Sequence, residues 1–417
     1  MNRRAAPDAV LRAAWEAALA AVDAEACTAP HIPPAPPGRS VLIAVGKAAA
    51  AMALAAARVR RFDAGLVITR DGHGLPLPEP LRLIEAGHPL PDERGLDAAG
   101  QALELASELR AGDQLLALIS GGGSALLTLP PPGISLRQKR DLTGRLLASG
   151  ARIADINRVR AHLSLIKGGR LGEAAFPAEV VTLVISDVPG DDPSLVASGP
   201  TCQLCEEGDE PAAILPRFGL QTEPAISAWL QDPRSRPPPG PFGSTIVVAR
   251  AADALAAAAA AVARSGWTAE LLGDDLEGEA KELGAHHAEL ALAYPAETVL
   301  LSGGETSVSL GPVRGRGGRN LEYLLALGLA VEGKRPIHAL AADTDGIDGT
   351  QPCAGAWLEP DTLARARQAG VDPLLALAEH RSHDVFAAAD ALLVTGPTRT
   401  NVNDFRGVAV ADQARVR

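Results

Sequence analysis

The sequence is poor in cysteine and has no long hydrophobic run. Its four cysteines, Cys27, Cys202, Cys205 and Cys353, are too few and too scattered for a disulfide framework in a chain of 417 residues. Cys202 and Cys205 have the spacing of a zinc-ligand pair, but no second Cys or His pair follows, so we expect ordinary packing. No apolar run approaches the roughly 20 residues of a membrane span, and the first residues do not resemble a signal peptide. These absences predict a cytoplasmic protein.

The sequence also lacks positive net charge and the common nucleotide-binding motifs. A net charge of -11 argues against a broad surface for nucleic acid or anionic membrane. No P-loop occurs, and Gly121 and Gly123 are followed by Leu126 where a dinucleotide fingerprint would have its third glycine. A Gly-x-Ser-x-Gly elbow is missing as well. The pattern weighs against a nicotinamide enzyme and a serine hydrolase.

Strands alternating with helices dominate what is present. Hydrophobic residues make up 47% of the chain, enough for full cores, and the length favours two domains. Apolar runs predict strands at 40–45, 65–69, 81–85, 114–119 and 180–185, and helical spacing predicts helices at 9–26, 48–58, 96–109, 136–149, 153–163 and 167–174. This alternation indicates a mainly parallel sheet between two helical layers.

A proline-rich segment interrupts the alternation at residues 232–243, and we interpret it as a linker. Strands at 245–249, 298–301 and 337–341, with an alanine-rich helix at 251–263, then restart the pattern. The predicted fold is α/β, with two three-layer α/β/α domains, mainly parallel sheets and an interdomain cleft. We place the domains at residues 1–235 and 236–417.

Glycine-rich turns follow two of the predicted strands. Gly121, Gly122, Gly123 and Ser124 follow the strand at 114–119, and Gly303, Gly304 and Glu305 follow the strand at 298–301. Ligands of open α/β sheets bind at the carboxyl ends of strands, where glycines let backbone N–H groups approach an anion. Glycines that only turn the chain are the alternative, and for one isolated turn that alternative is the commoner case. Two such turns favour binding sites.

Charged residues accompany these turns. Lys47 follows the first strand, and Arg314, Arg316 and Arg319 lie among glycines before Asn320; both groups suit phosphate. A solvated lysine and a nucleic-acid-binding Arg-Gly segment are the alternatives.

Carboxylates supply the second kind of candidate. Asp187 and Asp345 follow predicted strands and are candidates for a metal ion or a catalytic base. Turn formation is the alternative for each aspartate, and a calcium loop is excluded because no closing glutamate follows. His73, His88 and His162 are weaker candidates for contact with a small acid.

Longer motifs run through the whole chain. The first half contains Val45-Gly-Lys-Ala48, Glu85-Ala-Gly-His-Pro-Leu-Pro-Asp92, Ile119-Ser-Gly-Gly-Gly-Ser-Ala-Leu126, Ile156-Asn-Arg-Val-Arg-Ala-His-Leu-Ser164, Ile166-Lys-Gly-Gly-Arg-Leu171, Ser186-Asp-Val-Pro-Gly-Asp-Asp-Pro193 and Ala197-Ser-Gly-Pro-Thr201. The second half contains Ser302-Gly-Gly-Glu-Thr306, Gly315-Arg-Gly-Gly-Arg-Asn320, Thr344-Asp-Gly-Ile-Asp-Gly349, Thr395-Gly-Pro-Thr398 and Asn401-Val-Asn-Asp404. In wording and order this set resembles the glycerate 2-kinases, whose C-terminal half is called the MOFRL domain.

The resemblance implies transfer of the γ-phosphoryl group of ATP, with Mg2+, to the 2-hydroxyl of D-glycerate. It implies that Lys47 steadies substrate or the transferring phosphate, that Asp187 is a carboxylate of the cleft, and that residues 121–124 line it. Arg319 and Asn320 become candidates for phosphate contact, Glu305 and Asp345 for metal or nucleotide, and Gly303, Gly304 and Asn401 for the nucleotide. We therefore expect catalysis by Lys47, Asp187 and Arg319, and metal binding by Asp187 and Asp345.

Three alternatives remain. Proteins of this kind are often called hydroxypyruvate reductases, which would make the chain an NAD(P)H-dependent oxidoreductase, and a kinase for another small hydroxy acid fits the same motifs. A catalytically idle binding module is the third, although the density of acidic and basic residues at strand ends argues against it. The chain also departs from the family at Arg399, where glycine is expected, and at residues 350–353. A homodimer is one assembly that the sequence leaves open.

Overall fold

The structure is a computed structural model that describes residues 5–151, 153–204, 209–240, 242–310 and 315–412. The described strands are β1 (Ser40–Val45), β2 (Ala64–Arg70), β3 (Leu81–Ala86), β4 (Gln114–Ile119), β5 (Glu179–Ile185), β6 (Ser244–Ala249), β7 (Thr268–Gly273), β8 (Thr298–Ser302), β9 (Ile337–Asp343), β10 (Gly355–Leu358), β11 (Leu392–Leu393) and β12 (Asp404–Val410). The described helices are α1 (Pro7–Ala21), α2 (Ala24–Thr28), α3 (Ala49–Val59), α4 (Glu93–Ser107), α5 (Gly123–Leu126), α6 (Leu136–Ala148), α7 (Ile153–His162), α8 (Arg170–Ala174), α9 (Pro211–Arg217), α10 (Pro224–Gln231), α11 (Ala251–Arg264), α12 (Ala280–Ala293), α13 (Arg319–Val331), α14 (Thr362–Gln368), α15 (Pro373–Ala378) and α16 (Ser382–Ala388). Among these helices, none has the length and apolar character needed to cross a lipid bilayer.

The chain folds into two compact units. The N-unit is residues 24–249, and the C-unit is formed by the described residues up to Asp23 and from Arg250 onward. Each unit contains one six-stranded sheet with helices on both sides, so the predicted α/β class is confirmed.

The sheet of the N-unit is parallel throughout, with the strand order β3-β2-β1-β4-β5-β6. β1 and β4 are buried along their whole length because helices cover both faces, which explains their continuous apolar runs. From β1 the sheet extends through β2 and β3 on one side, and through β4, β5 and β6 on the other. The carboxyl ends of β1 and β4 therefore form the topological switch point, where open α/β sheets bind ligands.

The sheet of the C-unit is mixed, with the order β11-β10-β9-β12-β8-β7. β7 and β8 are parallel, whereas β12 is antiparallel to both of its neighbours, β8 and β9. Four strands share one direction, and β10 and β12 oppose them. The prediction of a mainly parallel sheet therefore describes the N-unit well, while in the C-unit β10 and β12 each run opposite to both of their neighbours, which makes most pairings antiparallel.

The units differ from the predicted domain boundaries at both ends of the N-unit. The proline-rich segment is not a linker between units, because β6 follows it and pairs with β5 in the same sheet. Its residues also pack against α8, since a Cβ placed at Gly172 would lie 2.7 Å from the Cβ of Phe242. At the other end, α1 belongs to the C-unit, where Trp15 stacks obliquely on Phe405 of β12 at a ring-centroid distance of 5.5 Å.

Candidate functional site

The turns after β1 and β4 touch each other at the switch point. The backbone N–H of Lys47 donates to the carbonyl of Gly121 at 2.9 Å, and the N–H of Ala48 donates to Ser120 Oγ at 3.1 Å. Gly46 allows this approach, because its φ is +124° and a Cβ there would lie 2.2 Å from Ser120 Oγ. The structure thus brings Lys47 and the glycine turn together, as their positions after adjacent strands predict.

The side chain of Lys47 crosses the turn beside Gly122. A Cβ added at Gly122 would lie 3.2 Å from Lys47 Cγ and 3.1 Å from His88 Nε2, and the φ of Gly122 is +81°. Lys47 is half-buried, and its carbonyl oxygen lies 3.3 Å from Nδ1 of the buried His73. The glycine therefore keeps open a small space between the aliphatic stem of Lys47 and the imidazole of His88, and an oxyanion near a lysine and an imidazole is favoured electrostatically.

Ser124 and Asp187 border the same edge of the sheet. Ser124 Oγ is hydrogen-bonded to Ser198 Oγ at 2.8 Å, and Gly123 packs against Ala197, whose Cβ would lie 2.6 Å from a Cβ at the glycine. Asp187 is half-buried and follows β5, which pairs with β4. Lys47, Gly121, Gly122, Gly123, Ser124 and Asp187 thus all follow the ends of three adjacent strands.

In the C-unit, Arg319 joins carboxylates from three segments. Its Nε lies 2.9 Å from both carboxylate oxygens of Asp404, Nη2 lies 2.8 Å from Asp343, and Nη1 lies 3.1 Å from Glu305. Burial opposes the charge of the guanidinium, but Asp404, Asp343 and Glu305 outweigh this effect and raise the pKa of Arg319. Arg319 is therefore a permanent cation that holds an acidic cluster in place.

Asn320 and Asp348 fix the start of α13. The carboxylate of Asp348 accepts the N–H groups of Asn320 at 3.1 Å and Leu321 at 3.0 Å, which satisfies donors at the helix N-terminus. Burial raises the pKa of Asp348 to about 6 despite these donors. Asn320 Nδ2 donates to Asp404 at 2.7 Å, and its buried Oδ1 has no hydrogen-bond partner among the described residues. This acceptor is a candidate for contact with a ligand donor.

The turn after β8 belongs to the same cluster. The N–H of Asp404 donates to the carbonyl of Gly304 at 3.1 Å, and Arg406 Nη1 donates to the carbonyl of Gly303 at 2.7 Å. Gly304 has a φ of +97°, and a Cβ there would overlap the backbone of Leu276. The structure therefore brings Gly303, Gly304, Glu305, Arg319 and Asn320 together.

The buried residues Asp345 and Asn401 lie in the loops beside this cluster. The N–H of Asp345 donates to Asp343 Oδ1 at 2.9 Å, and Asp345 Oδ1 accepts from the N–H of Ile347 at 2.8 Å. Asn401 Oδ1 accepts from the N–H of Asn403 at 3.4 Å. Asp187 and Asp345 belong to different units, and the described residues contain no group of three His, Cys, Asp or Glu side chains arranged to hold a metal ion.

The cysteine pair and the first arginine of the Arg-Gly segment are the remaining residues singled out from the sequence. Arg314 and Cys205 lie outside the described residues. Cys202 packs within the N-unit, with Sγ at 3.6 Å from Thr245 Oγ1, and burial raises the pKa of its thiol. Packing is thus the observed environment of Cys202.

Sequence reasoning missed Asp404 and Arg406 as members of the cluster. Both side chains are buried, and Arg406 Nη2 donates to Asp404 Oδ2 at 2.6 Å. The signal that could have found them is the charge of Asp404 and Arg406 inside an otherwise apolar C-terminal run, because charged side chains are buried only when paired.

Known proteins resemble this chain over most of its length. The family model described as "Domain of unknown function (DUF4147)" matches residues 10–231, and the MOFRL family model matches residues 298–404. A D-glycerate 2-kinase from Thermotoga maritima is 39% identical over 88% of this chain and 89% of its own. An Agrobacterium vitis protein that carries the name hydroxypyruvate reductase is 46% identical over 96% of this chain and 94% of its own.

A solved structure supports the same relationship. The crystal structure of a Thermotoga maritima glycerate kinase superposes with a TM-score of 0.84 at 35% identity, covering 97% of this chain and 100% of the other. Matching family models and a relative of this identity over nearly full length leave one assignment. The chain belongs to the DUF4147 and MOFRL family of glycerate 2-kinases.

Proposed function

We propose that this chain transfers the γ-phosphoryl group of ATP to the 2-hydroxyl of D-glycerate. The observation that carries the proposal is the contact of the Lys47 turn with the Gly121 turn at the switch point of a parallel sheet. That place binds ligands in open α/β sheets, and the side chains there suit a small anion with hydroxyl groups. The names of the kinases in the family support the same reaction.

Lys47 and Asp187 divide the chemistry in the N-unit. The ammonium of Lys47 neutralises charge on the transferring phosphoryl group, which is the main task of a protein in such a reaction. Asp187 follows β5, which is separated from β1 by β4 in the sheet. It orients the substrate hydroxyl and accepts its proton. Gly122 keeps the space beside Lys47 free of side-chain atoms, and Gly123 allows the close packing of Ala197.

In the C-unit, Arg319 contacts a nucleotide phosphate, which takes the place of Glu305 among its three carboxylate partners. Its partners Asp343 and Asp404 are buried, whereas the side chain of Glu305 is 50% exposed. An exposed ion pair contributes little, so a nucleotide phosphate can replace Glu305 on Nη1 at small cost. Asn320 Oδ1 and the backbone of Gly304 supply further polar contacts for the nucleotide, whereas the N–H and carbonyl of Gly303 already pair with Gly273 and Arg406.

Magnesium is proposed as the metal that accompanies ATP. It binds one or two carboxylates together with substrate phosphates, so a donor set with single carboxylates such as Asp187 or Asp345 fits it. When bound, the ion neutralises phosphate charge. A cytoplasmic location and a homodimer remain further proposals for this chain; light scattering of the purified protein tests the second.

The reaction is tested by incubating the purified protein with ATP, Mg2+ and D-glycerate in the presence of enolase and without phosphoglycerate mutase. Phosphoenolpyruvate is expected, because enolase converts 2-phosphoglycerate alone. Formation of ADP without phosphoenolpyruvate would move the transfer to another position or to water.

Replacement of Lys47 tests the site. We expect Lys47→Ala to lower kcat by about 100- to 1000-fold, the loss typical of one electrostatic stabiliser. Lys281→Ala, an exposed lysine of α12, is the matched control and should keep wild-type kcat. Circular dichroism must show both variants folded; equal kcat for Lys47→Ala and wild type contradicts the proposed site.

The reductase name of the Agrobacterium relative gives a second candidate. The strand order of the N-unit is also that of the dinucleotide-binding fold, but the turn after β1 contains Gly46-Lys47-Ala48 and lacks the glycine fingerprint. Oxidation of NADH or NADPH by hydroxypyruvate, without ADP formation from D-glycerate, would establish this activity in place of the kinase.

A further inference from the structure

Four cations lie close together in the N-unit beneath the turn that follows β4. Lys167 is 0% exposed, Lys139 is 5% exposed, Arg170 is 8% exposed, and Arg160 is half-buried. We call these residues the cation cluster. Their hydrogen bonds end on backbone carbonyls or on Asn157 Oδ1, and within the described ranges none of the four forms an ion pair with Asp or Glu.

The C-terminal end of α7 offsets part of this positive charge. Arg170 Nη1 donates to the carbonyl of Ala161 at 3.0 Å, and Lys139 Nζ donates to the carbonyl of Leu163. Carbonyls at a helix C-terminus carry partial negative charge, so two of the four cations act as helix caps. Lys167 donates to the carbonyl of Ser124 in the four-residue helix α5, and Arg160 lies in the last turn of α7, so backbone carbonyls offset part of their charge too.

The cation cluster nevertheless carries positive charge for which the described residues supply no carboxylate counter-ion. Burial, with Arg160 and Lys139 nearby, lowers the pKa of Lys167 well below its usual value. A buried cation without an anion is strongly unfavourable, so such a group is a candidate for a site where a ligand supplies the missing charge.

The cation cluster adjoins the glycine turn directly. Lys167 Nζ donates to the carbonyl of Ser124, and the hydroxyl of Ser124 is paired with that of Ser198. The guanidinium of Arg160 uses only Nη1, at 3.2 Å from Asn157 Oδ1, among the described residues. The remaining N–H groups form the planar fork that matches the two oxygens of a carboxylate.

We propose that the cation cluster binds the carboxylate of the small hydroxy acid, with Arg160 and Lys167 in contact and Lys139 and Arg170 supplying additional positive charge. The hydroxyls of Ser124 and Ser198 bind the polar groups of the acid, and its reacting hydroxyl points toward Lys47 on the other side of the turn. This inference rests on the proposed function and adds the group that selects an acid over an uncharged polyol. Neither Arg160 nor Lys167 takes part in the transfer itself.

Direct binding tests the cation cluster without any turnover. Isothermal titration of full-length protein with D-glycerate, in the absence of nucleotide, is expected to give a Kd that rises at least 10-fold in Arg160→Gln and in Lys167→Met. Arg137→Gln, a 91% exposed residue of α6, is the matched control and should keep the wild-type Kd. Arg160→Lys should recover part of the affinity, since it keeps the charge but loses the fork.

Steady-state kinetics give the second measurement. KM for D-glycerate should rise at least 10-fold in both variants, while KM for ATP changes less than 2-fold and kcat falls less than KM rises. Glycerol has no carboxylate. The ratio of kcat/KM for D-glycerate to kcat/KM for glycerol should therefore be smaller in the variants than in wild type. A structural role alone would change the melting temperature without this split between KM values.

Several results would overturn the inference. They are unchanged D-glycerate affinity in folded Lys167→Met and Arg160→Gln, loss of affinity for inorganic phosphate or ATP with D-glycerate binding intact, or no D-glycerate binding by wild type. Failure of the proposed kinase reaction is distinguishable, because it shows as absent phosphoenolpyruvate even when D-glycerate binds wild type and not the variants.

Discussion

At the scale of single residues, Arg399 is the departure from the family pattern that the structure explains most directly. Its φ is +62°, in the left-handed region where glycine is favoured, and glycine is the residue that the resemblance leads us to expect there. The neighbouring Thr398 donates its N–H to the backbone carbonyl of Asp345 at 3.1 Å, which ties the loop to the segment that follows β9. Arg399 therefore carries backbone strain that the family pattern avoids.

Replacing Arg399 by glycine should stabilise the C-unit modestly. Relief of a left-handed conformation contributes about 1–2 kcal/mol, and the greater freedom of an unfolded glycine offsets about 0.5–1 kcal/mol of it. We expect Arg399→Gly to raise the Tm by a few degrees in a thermal melt followed by circular dichroism. Arg61→Gly, at an exposed loop position where φ is not positive, is the control and should lower the Tm. A lower Tm for Arg399→Gly would show that the Arg399 side chain stabilises the loop.

At the scale of elements, the long strands with uniform apolar sequence were predictable, whereas the short strands β10 and β11 and the strand with buried charge, β12, were not. The predicted bounds of β1 and β4 agree with the structure to the residue, because both are buried on both faces and contain no charge. β12 was missed because Asp404 and Arg406 interrupt its apolar run. Their burial depends on Arg319, which is distant in the sequence, and no local pattern contains that information.

The candidate site divides in the same way. Lys47, the two glycine turns and Asp187 could be found because they directly follow apolar strands. The cation cluster could not, since Lys139 lies in an amphipathic helix where a lysine suggests an exposed position. Its burial arises from the packing of α6 against the end of α7.

Lys139 makes the stability of this helical packing depend on pH. Burial, with Arg160 and Arg170 nearby, lowers the pKa of Lys139 from its usual 10.5 to about 7. The unfolded chain thus binds more protons than the folded chain between pH 7 and pH 10.5, so stability rises with pH in this window and is lost as pH falls through it. Below about pH 7 the folded protein carries the full cost of the buried charge.

We expect Lys139→Met to increase stability at pH 7, by an amount on the order of a few kcal/mol, because it removes this cost. The advantage over wild type should shrink as pH rises toward 10. The measurement is the Tm difference between variant and wild type at pH 7, 8.5 and 10. Arg137→Met, on the exposed side of the same helix, should show a small difference that does not vary with pH. A constant difference for Lys139→Met would mean that Lys139 keeps its charge at little cost.

At the scale of the whole molecule, the class of the fold followed from the sequence, but the division of the chain did not. The predicted boundary rested on a proline-rich segment, and prolines break helices and strands whether they lie between units or within one. The assignment of α1 was equally hidden, because the residues it packs against lie more than 200 positions further along the chain. Trp15 contacts Phe405, and the Arg12 guanidinium lies 4.9 Å from the ring centroid of Trp357.

Because α1 belongs to the C-unit, a destabilising substitution in this helix should loosen the C-unit and not the N-unit. Trp15→Ala removes a side chain that is 4% exposed and should cost about 3–5 kcal/mol. Because its partners are in the C-unit, hydrogen exchange should accelerate in α11 and β12 and remain at the wild-type rate in β1, β4 and β5. Met52→Ala, at a fully buried residue of α3, is the reciprocal control. It should give faster exchange in β1 and β2 and an unchanged exchange rate in β12.

If Trp15→Ala accelerates exchange equally in both sheets, the two units unfold as one cooperative structure; if it accelerates exchange only in the N-unit sheet, the assignment of α1 is wrong. Selective exchange in the C-unit would establish that the first helix of the chain completes the core of the unit that contains Arg319 and its carboxylates.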